Sequence, residues 1–386
     1  MCNHTRSSRT LPPIVLIFLT SALMVTIVLI SPRGPSRAQS GVIHVEADAS
    51  GANNGSSWTD AYTDLQSALG AASDGDEIWV ATGVYTPGKS ATDSFAVPPG
   101  VAVYGGFAAT ETVRSERDWD AHPTVLSGDL AGDDGTDARG VVTDTERITG
   151  TNAYHVVWLD GVTEPITEST RLDGLVITAG QADGGWADNK NHGGGLYCDA
   201  RGGGTCSPSV AHVTFSGNYA QFSGGGMANY GGGTSSPTLT NVTFRDNRTG
   251  GYGGGVYNVA PDGGVSSPAL TNVTFSGNNA GLYGGGMFND EEIDGTCNPT
   301  VTNAILWGNS AGFGPEMMND GGASPTIRHS LVKGAFDGGS WDRTLGIDGG
   351  GNVDADPLFV DPARGNLRLR PTSPGIDVGD NGALPP

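Results

Sequence analysis

An all-β solenoid of stacked three-sided coils is the fold class this sequence predicts, and three observations carry the prediction. One phrase recurs as SPSVAHVTFSGN (207–218), SPTLTNVTFRDN (236–247), SPALTNVTFSGN (267–278), NPTVTNAILWGN (298–309) and a worn SPTIRHSLVKG (324–334). Its prolines at 208, 237, 268, 299 and 325 are spaced by 29, 31, 31 and 26 residues, a period that marks stacked supersecondary units. The chain holds 63 Gly and only 16% charged residues, a composition suited to many tight corners. Strand alternation also breaks inside the phrase. In TLTNVTF, Leu239 has the opposite parity to Val242 and Phe244, so all three face one core only if the chain turns near Asn241.

Taken from the N-terminus, residues 1–38 read as an export signal. Arg6 and Arg9 precede the 17-residue apolar run Ile14–Ile30, and Ser36-Arg37-Ala38 offers a small-x-small cleavage site. A retained N-terminal anchor is the alternative, since the run is also near the lower limit for a spanning helix. Either way, residues 39–386 are expected outside the cytoplasm, extracellular or at the cell surface. Residues 41–90 form an N-terminal cap and first rung. Thr59 or Asp60 caps a short helix running to about Ala71, with Ala61, Leu65, Ala68 and Leu69 on one face. Such a cap would shield the open first coil. Coils are expected over 91–345, with apolar strand pieces at 77–85, 101–107, 123–130, 154–162 and 171–180 and regular repeats over 193–334. A closing segment follows at 346–386.

Within the repeats, stacking places like on like at about 4.8 Å. Asn241, Asn272 and Asn303, with His212, share one corner; Asn218, Asn247, Asn278 and Asn309 a second; Asn229, Asn258, Asn289 and Asn319 a third beside the Gly run. Such columns can bond amide to amide along the axis. Phe215, Phe244, Phe275 and Leu306 form one inward file. Cys206 and Cys297 sit three coils apart, roughly 14 Å, too far to bridge. Cys198 lies eight residues before Cys206 across a Gly-rich loop, so the register predicts a Cys198–Cys206 disulfide and a free Cys297.

The formal charge of −21, from 20 Lys and Arg against 41 Asp and Glu, argues against nucleic acid or an anionic membrane as partner. It also makes a polyanionic sugar an awkward ligand. The richest loop for sugar contact is QADGGWADNKNHGGG (181–195), which gathers Asp183, Trp186, Asp188, Lys190 and His192. Trp stacking beside acids suits a glycan; a solvated loop tip is the bland reading. GDLAGDDGTDARG (128–140) brings Asp129, Asp133, Asp134 and Asp137, carboxylates that could hold calcium or simply form a solvated loop. No catalytic residue set stands out. The three lysines, Lys89, Lys190 and Lys333, have no recurring context, and no matched carboxylate pair occupies equivalent strand positions.

FSGN (215–218), FRDN (244–247) and FSGN (275–278), each followed by GGGM or GGGV, resemble the F-x-x-N and G-G-A-[ILV] repeats of polymorphic outer-membrane proteins. More broadly they look like bacterial proteins of the pectate-lyase-like superfamily. Residues 43–85 look like the opening turn of such a protein, and 351–381 are similar to closing segments of exported members whose surface anchors vary. The third Gly of GGG departs from the pattern, and such proteins usually run on past ALPP, where a C-terminal anchor would lie. The resemblance implies a right-handed, single-stranded parallel β-helix with a short capping helix. It also implies a secreted or surface protein that touches an extracellular glycan or another cell-surface component. It supplies no catalytic residues; a polysaccharide lyase or glycosidase, and a passive scaffold, are the alternatives.

Overall fold

The computed structural model describes residues 41–186 and 189–383. The export signal of residues 1–38 lies outside the described residues, and so does Asp188. The described chain is a right-handed parallel β-helix. Its first sheet stacks ten parallel strands, from Val42–Val45 through Glu77–Ala81 and Ser209–Ala211 to Ile347–Asp348. The second stacks eight, from Gly83–Tyr85 to Leu331–Val332, and the third seven, from Phe95–Ala96 to Met317–Asp320. A short four-stranded sheet, from Gln181–Ala182 to Asn279–Ala280, joins the second to the third.

Pairing follows the repeat register residue for residue: Phe215 pairs with Phe244, Phe244 with Phe275, and Phe275 with Leu306. The Phe rings are stacked face to face, 4.7 and 5.0 Å between centroids, and fully buried. Leu239, Val242 and Phe244 all point into the core, because Asn241 takes φ 56° and turns the chain between the first and second sheets. EIWVATGVY bends likewise, giving Glu77–Ala81 to the first sheet and Gly83–Tyr85 to the second.

The capping helix is shorter than its sequence suggests, covering Leu65–Ala71. Asp64 is its N-cap, accepting from the Ser67 N–H at 2.7 Å. Thr59 and Asp60 are spent elsewhere: Asp60 accepts from the Ala52 N–H, and Tyr62 pairs with Val45 as an extended residue. Leu65, Ala68 and Leu69 are buried over the first coil as expected, whereas Ala61 is buried from outside the helix.

The asparagine columns divide by role. At the second corner the left-handed residue is the one before each Asn, at Gly217, Asp246, Gly277 and Gly308. Asn218, Asn247 and Asn278 are therefore there for their side chains, each donating Nδ2 to the Oδ1 of the next coil's Asn at 2.9 Å. The third column is not at a corner. Asn229, Asn258, Asn289 and Asn319 lie inside strands, linked amide to amide at 2.8 Å, because the first Gly of each GGG takes the turn (Gly253, φ 65°). A Cβ on Gly255, the third of its run, would stand 2.5 Å from the Gly286 carbonyl oxygen, so the stacked backbones exclude side chains there. The first column is partly exposed. Asn272 donates to Asn241, and Asn241 to His212 Nε2.

The two inner ladders end on an acceptor near the C-terminus, whereas the first donates the other way, toward His212, and Asn303 bonds to the closing segment instead. Asn309 donates to the buried Glu316 carboxylate, Asn319 to the Thr344 carbonyl, and Asn303 to the Asp380 carbonyl. The last coil is closed by the antiparallel pair Phe336–Asp337 and Ser340–Trp341, with Leu345 buried beneath.

Cys198 and Cys206 are joined as a disulfide, and Cys297 is free and buried. Cys198 pairs in register with Asn229, so the Cys interrupts the third ladder at its first rung. The buried Asn229 Oδ1 accordingly has no hydrogen-bond partner. Further along, Asn289 and Cys297 occupy the same two columns, again eight residues apart. An Asn289→Cys variant should therefore close a second disulfide with Cys297, read as loss of the Cys297 thiol in a mass spectrum. The loop-entropy gain of about 2.5 kcal/mol is expected to be largely offset by cutting the ladder at Asn289. A thiol that stays free would contradict the shared register.

Candidate functional site

Alternation along the third sheet sends Met227 and Asn229 inward and Ala228 and Tyr230 outward. The outward file reads Trp158, Tyr197, Ala228, Tyr257, Phe288 and Met318 in strict pairing. Beside it runs a second file, one residue per coil, at His192, Ser223, Tyr252, Tyr283 and Phe313. Tyr252 and Tyr283 are stacked at 5.8 Å, Tyr283 and Phe313 at 5.5 Å, and Tyr257 and Phe288 at 5.8 Å. Phe222 bridges Tyr252 to Trp186, with centroids 5.1 and 4.2 Å away. The result is an aromatic ledge parallel to the helix axis, with Trp186 at one end (63% exposed) and Phe313 at the other (65%).

Toward the N-terminus the ledge meets a cleft of roughly 400 Å³. Tyr154, His155 and Trp158 line it from one coil and Asn189, Lys190, Tyr197 and Arg201 from the next. Thr92 and Ser94, which immediately precede the Phe95–Ala96 strand paired with Val157 and Trp158, form its far wall. That wall is held in place: Asp93 caps the Lys89 and Ser90 N–H groups, and the Ala91 carbonyl accepts from the Tyr154 N–H at 2.8 Å.

Electrostatics in the cleft follow from burial. Burial lowers His155 to about 4, so its ring is neutral near pH 7, stacked on Tyr197 at 5.2 Å. Burial likewise pushes the Tyr197 phenol far above its ordinary range, leaving a protonated hydroxyl that has no hydrogen-bond partner. Arg201 is held by Asp199 through two bonds of 2.8 and 2.7 Å, which raise its already high pKa. Lys190 Nζ lies 5.9 Å from the Tyr154 ring centroid. The ledge, by contrast, is bordered by acids. Tyr257 Oη donates to Asp290 at 3.4 Å, and Asp290 pairs in register with Asp320, as Asp160 does with Asp199. Carboxylate pairs thus do occupy equivalent strand positions, contrary to the sequence reading. Burial first, then Glu292 and Asp320, raise Asp290 to about 6.

The residues singled out in the 181–195 loop separate. Trp186 heads the ledge and Lys190 lines the cleft. His192 is only 6% exposed, its Nδ1 2.6 Å from the buried Ser223 Oγ, so it supports the ledge from below. Burial lowers it to about 4. Asp183 is exposed and bonded to Gln181, away from the cleft lining. Of the acidic loop, Asp129, Asp133 and Asp134 bring carboxylate oxygens within 4.8 Å of one another. Asp137 does not join them, because its carboxylate caps the Arg139 and Val141 N–H groups. Asp129 also accepts backbone N–H groups of its own loop and Asp134 that of Thr149, and burial raises Asp134. Sequence reasoning missed Tyr154, His155, Trp158, Tyr197 and Arg201. The outward parity of Tyr197, Tyr257 and Phe288, each just before a Cys or Asn of the inward column, was the signal available.

No protein-family model matches the chain, and no curated protein matches it. Among solved structures the chain is similar to pectate lyase Pel9A, at 13% identity over 89% of this chain and 92% of that one, with a TM-score of 0.47. It is also similar to the pectin methylesterase of Aspergillus niger, at 13% identity over 84% and 95%, with a TM-score of 0.28. At such identities and scores neither likeness bears on what this chain binds or does.

Proposed function

We propose that this is an exported, non-catalytic β-helix that binds an uncharged glycan along the outer face of its third sheet, serving adhesion at a cell surface. The observation that carries the reading is the aromatic ledge. Rings recur once per coil at Phe222, Tyr252, Tyr283 and Phe313, half-buried up to the exposed last one and 5.1–5.8 Å apart, and form a continuous apolar strip for successive sugar rings. Asp290, Asp320 and the overall charge of −21 favour a neutral chain over a polyuronate. The basic-then-apolar residues 1–38 and the Cys198–Cys206 disulfide support a site of action outside the cytoplasm.

Calorimetry with a panel of neutral hexasaccharides (cello-, laminari-, xylo-, manno- and chito-series) tests the reading. One series should bind, and the Tyr252→Ala/Tyr283→Ala double variant should bind it at least about tenfold more weakly. Equal affinity in the double variant would remove the ledge from the binding site. Cleavage of the bound sugar would replace adhesion with catalysis.

A further inference from the structure

We propose that the cleft is a chain-end subsite: it takes the terminal pyranose of the glycan whose following units lie along the ledge. This rests on the ledge reading above and adds the part of the polymer that is recognised. A flat ledge alone would accept any internal stretch of a chain. Here the path is closed at one end, because Thr92 and Ser94 stand across it one coil before Trp158, on a loop tied to the Tyr154 N–H. Tyr197 links the two, lining the cleft and standing second, after Trp158, in the outward file that underlies the ledge. The cleft is also unfinished as a protein interior. Tyr197 is 2% exposed, yet its hydroxyl has no partner, an arrangement that costs free energy unless a ligand or water hydroxyl meets it. Trp158, 38% exposed on the opposite coil, offers a ring face to a pyranose, with the Thr92 and Ser94 hydroxyls at the blocked end. A volume of roughly 400 Å³ suits one or two sugar units rather than a chain passing through.

The experiment uses the whole exported chain with the neutral hexasaccharide that binds in the panel above and with a long polymer of the same sugar. Sedimentation at saturating protein should give one protein per polymer chain, bound at one of its two chemically distinct ends, however long the polymer. Tyr197→Phe, which keeps the stacked ring and removes only the hydroxyl, should bind the hexasaccharide about fivefold more weakly. Trp158→Ala should weaken it further while leaving the ledge intact. Occupancy that grows with polymer length, or a Tyr197→Phe affinity equal to that of the unaltered protein, overturns the chain-end subsite and leaves the ledge reading standing. Failure of every sugar in the panel to bind overturns the ledge reading, and the subsite falls with it.

Discussion

Asn247→Ala is expected to lower stability by about 4 kcal/mol, several times the cost of Asn272→Ala, although both remove one amide from a ladder. Asn247 is fully buried. Its Nδ2 donates to the Phe215 carbonyl at 3.0 Å and to Asn278 Oδ1 at 2.9 Å. Its Oδ1 accepts from the Asn218 N–H at 3.1 Å and from Asn218 Nδ2 at 2.9 Å. Alanine therefore strands the Asn218 N–H in a dry interior, at about 1–3 kcal/mol, takes one partner each from the Phe215 carbonyl and the two neighbouring amides, and leaves a small cavity. Asn272 sits at the half-exposed first corner, where water can replace its amide, so about 0.5–1 kcal/mol is expected there. Guanidinium unfolding followed by tryptophan fluorescence would compare the two. Similar midpoints would mean that the buried column does not hold the coils together.

The coils were legible because period and parity agree. The phrase spacing gave the stack, and the parity of Leu239 against Val242 and Phe244 gave the corner at Asn241. The third asparagine column was misread as a corner because Asn tolerates left-handed backbone. The adjacent Gly run, with Gly253 at φ 65°, does that job more cheaply and leaves Asn258 free to face inward. The helix start was misread because Asp60 has capping chemistry, and only the fold shows that its carboxylate is committed to the Ala52 N–H. Glu316 replaces the third Gly of the run and reads as decay of the motif. In the structure it is the acceptor on which the buried ladder terminates. The ledge was half legible, since Tyr252 and Tyr283 stand directly before their GGG runs. The cleft was not, because Thr92, Ser94, Tyr154 and Trp158 come from early coils whose long loops carry no repeat against which to register them.

The second large effect is expected on the opposite side, where the early loops fold over the first sheet. Asp173→Ala should cost about 3 kcal/mol at pH 7, through the charge it leaves behind. Asp173 is 5% exposed and accepts from Arg117 at 2.8 Å and His212 Nδ1 at 3.0 Å, with Arg171 3.5 Å away. Arg117 is itself nearly buried, lying over the Trp119 ring at 4.8 Å and the Tyr104 ring at 5.2 Å. Without the carboxylate its guanidinium keeps the Gly105 and Asp173 carbonyls as partners but loses its counter-charge. Burial pushes the Asp173 carboxyl upward, but the bonds from His212 and Arg117 outweigh it and hold the group below its ordinary range. A depressed folded value means that the contribution is complete above the unfolded pKa of about 3.9 and fades as pH falls through the folded one. The stability gap between the unaltered protein and Asp173→Ala should thus be present at neutral pH and narrow below about pH 4. Denaturant midpoints taken across that range decide it. A gap that stays open in acid would assign the cost to lost packing, and no gap at neutral pH would mean that Arg117 finds water once its partner is gone.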